Sequence, residues 1–422
     1  MPALRAREIR MTNPIANADQ FAAEEEVRHM WALPQTRAAR DHAAQLWRVG
    51  HGTDIPDGLL DSFDGAMDGW VTNYLFKATT IDPAAPRIVR NFMPGYRWQG
   101  GDVPDARMGG DNPDNCYRLA GIAPGGRYRI SGRILDARPA HASFTLVENW
   151  GTSVTAQTLE LPGIAVDEDG RFTISIDGDP ADGRPNHLTS TPRTKFLFIR
   201  DSMMDWGHET PLDLAIERLD AAAPLDLEQR LDEALRRMRE DVPLYYWFFR
   251  LSAGKPVNTM VQPVAVAGYG GLVTQASSLG RFHLEDDQAA IVRFDPAGAC
   301  YNSFQMAMWW YRSIDAHRIQ SGLTAAQAEH DADGTISLVV SARDPGIANW
   351  VDTGGLKDLL PMIRWQGIPA TQVRKGPRHW LDIVPFAEID RHVSADATRV
   401  DAAERAARIA RRQREWDRRT TA

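Results

Sequence analysis

Four groups of side chains in this sequence have the residue types that chemistry requires. Asp205 and His208 lie three residues apart after the apolar run FLFIR, with Met203, Met204 and Trp206 beside them. A carboxyl in apolar surroundings shifts toward the general-acid range, and a neighbouring imidazole can serve as its base. His283 is followed by Glu285, and on a strand the two share a face, which suits an oriented histidine base. Further on, Asp344, Asn349, Trp350, Asp352 and Thr353 crowd a turn containing Pro345, Gly354 and Gly355. There Asn349 and Asp352 can orient a hydroxyl against the Trp350 indole. The fourth group sets Asn115, Tyr117 and Arg118 beside Tyr301, Trp309, Tyr311 and Arg312, and Tyr with Arg can hold a carboxylate or polarise a carbonyl.

Each group has a plain structural alternative. Asp344 and Asp352 precede Pro-Gly and Thr-Gly-Gly, where turns favour Asp anyway. His283 to Asp287 reads equally as a solvated acidic turn, and Arg118 and Arg312 as buried structural cations. The working assignment is therefore catalysis by Asp205, His208, His283, Asp352 and Tyr301. Substrate contacts are expected from Trp309, Tyr311, Arg312, Asn349, Trp350, Asn115, Tyr117 and Arg118.

Absences narrow the chemistry. Asp205 and His208 lack HxE or HxxxH spacing and alone are no zinc signature, and Cys116 and Cys300 are too far apart for a thiolate cluster or a disulfide framework. AGYGG and GLVTQASSLG give neither a phosphate loop nor a strand-borne GxGxxG, and no GxSxG elbow occurs. No metal and no cofactor are expected. A net charge of -8 disfavours nucleic acid as a partner. MPALRAREIRMTNPIANADQ has no apolar leader and no run of about 18 apolar residues follows, so a cytoplasmic, membrane-free protein is expected. Thirteen tryptophans are many, and such a surplus lines ligand sites, subunit contacts or cores.

The elements that must position these groups change along the chain. Residues 1–80 read as helical, broken at Pro34 and stopped at Gly50. Pro83 to Asn115 is a long Pro-, Gly- and Asp-rich loop. RYRISGRIL alternates beside the hairpin turn expected at APGG, and SFTLVENW, RFTISIDG and TKFLFIRDSMMDW continue the strand pattern, so 81–221 reads as a first β-sandwich-like domain. A helical connector spans 222–256, with Pro243 opening its second helix and Gly254 closing it. A second sandwich-like domain covers 257–392, with a short helix expected from Thr324, and 393–422 holds a charged C-terminal helix. The fold class is mainly β with helical insertions, two sandwich or jelly-roll domains in all.

YNSFQMAMWWYRS, DGTISLVVSARDPGIANWVDTGG and MIRWQG together resemble the C-terminal β-domain of the family called domain of unknown function 1214. DNPDNCYRLAGIAPGGRYRISGR and KFLFIRDSMMDWGHETP resemble the N-terminal segments often paired with it. The resemblance implies β-sandwiches with helical insertions and brings no reaction. The expectation for function is a cofactor-independent lyase, dehydratase, isomerase or hydrolase. It would act by acid–base side chains on a hydrophobic oxygenated small molecule such as a terpenoid, steroid or aromatic catabolite. The alternatives are a carbohydrate- or small-ligand-binding protein, or a glycoside-processing enzyme, with a Trp/Tyr platform. A third is a structural homo-oligomer.

Overall fold

The computed structural model describes residues 13–52, 55–56, 58–98, 101–135, 137–265, 272, 274–369 and 377–420. The AGYGG segment and most of MPALRAREIRMTNPIANADQ lie outside them. Helix α1 (Ala18–Ala32) ends where Pro34 opens helix α2 (Pro34–His51), because proline supplies no N–H to continue α1. Helix α2 runs past Gly50 and is capped at Gly52 instead, where φ is 55°. It buries Ala39, Ala43, Ala44, Trp47 and His51, one stripe at helical spacing. Helix α3 (Phe63–Ala78) is buried along nearly its whole length. Helix α4 (Leu227–Glu240) opens on a capping box between Asp226 and Gln229, and α5 (Val242–Ala253) carries Pro243 in its first turn. The connector therefore packs onto the N-terminal helices, and all five share one apolar cluster.

The first sandwich sets a five-stranded sheet on a four-stranded one. The larger runs Val89–Asn91, Asn115–Gly121, Phe196–Ser202, His141–Val147, Thr155–Glu160 in spatial order. The smaller runs Asp213–Arg218, Tyr128–Arg133, Arg171–Asp177, His187–Thr189. Tyr128–Arg133 alternates strictly between buried and exposed positions, as its period requires. APGG is no hairpin, however: the strands on either side of it belong to different sheets, so it carries the chain across the sandwich. Ile130, Ile174 and Ile176 meet Phe144, Leu146 and Ile199 between the sheets.

The second sandwich repeats the scheme. Ala276–His283, Asp358–Gln366 and Tyr301–Met308 form the centre of the larger sheet. Trp350–Asp352, Ile336–Ser341, Gln288–Phe294 and His379–Pro385 make the smaller. Phe282, Phe304, Ile363 and Trp365 fill its core from the larger sheet. No helix starts at Thr324. Gly322–Thr324 is a strand paired with Ser303–Gln305, and only a single turn follows.

The two larger sheets turn their outer faces toward each other, and these faces mix polar with apolar side chains. Ser202 Oγ donates to Gln366 Oε1 at 2.6 Å, Thr274 Oγ1 to Glu160 Oε2 at 2.6 Å, and Tyr301 Oη to Asp114 Oδ2 at 2.6 Å. The C-terminal helix (Ala402–Asp417) packs on its own chain. Its buried residues are Arg405, Arg412 and Trp416, and Trp416 meets the Trp206 ring at 5.2 Å. Of the sparse seam that helical spacing gives this helix, Ala402, Ala406, Ile409, Gln413 and Trp416, Trp416 is buried and Ile409 half-buried, while Ala402, Ala406 and Gln413 stay exposed. Among the described residues no helix is long and apolar enough to cross a membrane.

Candidate functional site

Between these two faces lies a chamber of about 410 Å³, within the usual range for small-molecule sites. Strand register builds its walls. In the first sandwich Arg200 stands cross-strand between Tyr117 and Ser143, and the next outward row is Leu119, Phe198 and Thr145. In the second, Arg364 stands between Ser277 and Ser303, followed by the row Leu279, Met362 and Gln305. Each wall thus places one arginine beside hydroxyls, next to a row with apolar members. Phe92, Met108 and Phe248 extend the apolar part.

Arg364 donates to Gly110 O at 2.6 Å through Nη2 and to Gln305 Oε1 through Nη1, so its guanidinium is fixed. Gln305 is held in turn by Asp114 Oδ2 at 2.6 Å. Arg200 reaches Thr145 Oγ1 at 3.3 Å and lies 4.1 Å from the Phe198 ring centroid. Burial lowers the Arg200 guanidinium to about 10, with Tyr117 and the Glu160 carboxylate opposing that shift and the Arg364 charge adding to it. It remains a cation at neutral pH. Burial likewise raises the Tyr117 hydroxyl, against the pull of both arginines, so it stays a proton donor. Two neighbouring buried cations in one chamber favour an anion between them.

Three further groups complete the chamber. Tyr245 donates to Gly151 O at 2.6 Å, and Tyr311 adopts φ 53° while its carbonyl accepts from Gly110 N at 2.6 Å. Gly109 and Gly110 are both at positive φ, and a Cβ on either would strike the Tyr245 or Tyr311 ring at 2.4 or 2.8 Å. The close seating of these tyrosines therefore depends on two glycines. Asn115 is 7% exposed and its Oδ1 has no hydrogen-bond partner among the described residues. Asp111 also lines the chamber; burial raises its carboxyl, while Arg107 and hydrogen bonds from Ser313 work against the rise.

The residues singled out from sequence fall in different places. Asn115, Tyr117 and Tyr311 line the chamber. His283 and Trp309 line a separate open cleft. Asp205 and His208 form a 2.8 Å pair on the surface, with His208 83% exposed, and Asp205 also closes a turn through Gly207 N. Asp352 accepts from Gly354 N at 2.8 Å at its own turn, and burial raises its carboxyl. Tyr301 is wholly buried among Asp114, Asn112 and Ser303. These five do not meet in one cavity, so an acid–base mechanism shared among them has no geometric basis. The binding candidates divide too. Asn349 spends its amide on Glu329 and Ser337 backbone, and Trp350 donates to Ser341. Arg118 is sealed against Asp201 at 2.7 Å, and Arg312 anchors helix α3 through Gly65 O.

Arg200 and Arg364 were the residues to find. Both sit in apolar strand runs, FLFIRDS and LPMIRWQ, where a lone arginine has to be buried. That is a readable signal, but it cannot show that the two face each other. Among the described residues no group of His, Cys, Asp and Glu could hold a metal ion.

No family model and no curated protein matches the chain. Among solved structures it is similar to an uncharacterized protein from Burkholderia cenocepacia, with a TM-score of 0.68 and 24% identity over 86% of this chain and 99% of that one. A Vibrio parahaemolyticus protein matches at a TM-score of 0.42 and 10% identity, over 65% of this chain and 90% of that one. The first likeness shows a shared fold.

Proposed function

We propose that this chain binds a small molecule between its sandwiches, one with an apolar body and a carboxylate or comparable anionic head. The observation that carries the reading is the pairing of buried Arg200 and Arg364 with Tyr117 in a chamber whose lining also holds Phe92, Phe198, Phe248 and Met362. The head lies between the guanidinium groups, and the body packs on Phe92, Phe198, Phe248 and Met362. This is the ligand-binding alternative of the sequence reading, applied to the hydrophobic oxygenated compounds expected there. Screening carboxylated terpenoids, steroids and aromatic acids by thermal shift tests it. Acids of this kind are expected to raise Tm, and a library in which neutral compounds alone do so would reject the reading.

A second reading adds turnover of the same molecule, because Asp111 brings a carboxyl raised by burial to the chamber wall. Turnover surviving in Asp111→Asn would exclude that role. Kinship with domain of unknown function 1214 is proposed on the quoted segments and carries no reaction with it. A reducing, cytoplasmic setting is proposed from the lone Cys116 and Cys300, both free thiols.

A further inference from the structure

Helix α5 separates the chamber from a second opening. Leu251 and Lys255 line the chamber, whereas Arg250, Ala253 and Gly254 line an open cleft of about 870 Å³. The strand Ala276–His283 is divided the same way: Ser277 and Leu279 serve the chamber, Arg281 and His283 the cleft. The two spaces share no lining residue among those described.

Two donors in the cleft wall have no acceptor among the described residues. Trp309 lines the cleft at 2% exposure, and its Nε1–H is unpartnered. The Arg281 guanidinium lies 5.2 Å from the Trp309 ring centroid; one of its arms donates to Ala253 O at 3.3 Å, while its Nε–H is unpartnered. A buried donor left without an acceptor costs about 1–3 kcal/mol, which an acceptor supplied from the cleft to these two side chains would recover. The acidic groups nearby are already engaged. Asp358 lies 3.1 Å from His283 Nδ1, and Glu285 takes Lys357 at 2.6 Å and His283 Nε2 at 3.3 Å. Leu59, Pro56 and Leu356 supply an apolar margin.

We propose that this cleft is a second binding site, which takes the oxyanion of a small molecule, carboxylate or phosphate, on Trp309 Nε1–H and Arg281 Nε–H. It stands independently of the chamber reading, since no chamber residue takes part.

Fluorine NMR of the full chain labelled with 5-fluorotryptophan tests it, with Trp309→Phe deleting one line and so assigning it. Benzoate, phenyl phosphate and inorganic phosphate are titrated separately. The Trp309 line is expected to move saturably with at least one of them. Arg281→Gln should weaken that response about ten-fold or more, and so should Arg281→Lys, which keeps the charge but lacks the guanidinium Nε–H. Movement with all three assigns the site to a bare oxyanion, and movement with the aryl probes alone shows that the apolar margin contributes. A Trp309 line that stays put up to about 20 mM of every probe overturns the proposal, as does a response unchanged in both Arg281 variants.

Discussion

Arg364 is positioned by groups that themselves belong to a buried network. Gln305 fixes its guanidinium, Asp114 fixes Gln305, and Tyr301 and the Trp206 indole both donate to Asp114. Tyr301 thereby works as a strut between the sandwiches. Tyr301→Phe removes a hydroxyl that joins Asp114, Asn112 and Ser303, and is expected to cost about 1–3 kcal/mol in urea unfolding. A loss of that size places Tyr301 in folding, and no measurable change would remove it from the network. His208 is the contrasting case. His208→Ala deletes an exposed ring whose bond to Asp205 is solvent-screened, so Tm should move by no more than about 1–2 °C. Spacing made Asp205 and His208 look like a functional pair, and the structure does pair them. What spacing could not convey is that the pair faces water.

At the scale of elements, helix α3 holds an unusual group. Lys77 is fully buried, its Nζ has no hydrogen-bond partner among the described residues, and it lies 4.0 Å from the Tyr74 ring centroid. Burial lowers its ammonium from the ordinary 10.5 to about 7, with Asp241 opposing. The unfolded chain then binds more protons than the folded one between pH 7 and 10.5, so folding stability rises across that window and is lower below it. Lys77→Met should abolish this rise and stabilise the protein most near pH 6, by roughly 4–5 kcal/mol relative to its effect at pH 10. Equal stabilisation at both pH values would contradict the assignment. The strands were legible from alternation and turn residues, as Tyr128–Arg133 shows. The connection through APGG was not, because a tight turn between two strands looks the same in sequence whether they pair or cross to another sheet. The expected helix after Thr324 failed for a related reason. Pairing with Ser303 and a bond from Thr324 Oγ1 to Met204 O outweigh local helical preference.

For the whole molecule, the decisive feature is that both large sheets carry mixed polar and apolar outer faces and turn them inward. A strand buried on both faces reads as a near-continuous apolar run, so the sequence of either half shows that its central strands are covered without showing by what. Only their apposition converts Arg200 and Arg364 from two isolated strand arginines into the cationic end of a shared chamber. Two sandwiches with helices at both ends could be read from the chain, whereas a site built by tertiary register over residues as distant as Tyr117 and Arg364 could not. The central claim is that this chamber selects an anionic head. Titration calorimetry with a carboxylic acid found in the ligand screen and with its methyl ester, on the wild-type chain and on Arg200→Gln, tests it most directly. The account predicts that the acid binds at least about ten-fold more tightly than the ester to the wild type, and that the substitution removes most of this preference. An ester that binds as well as its acid, or a preference untouched by the loss of Arg200, would contradict it.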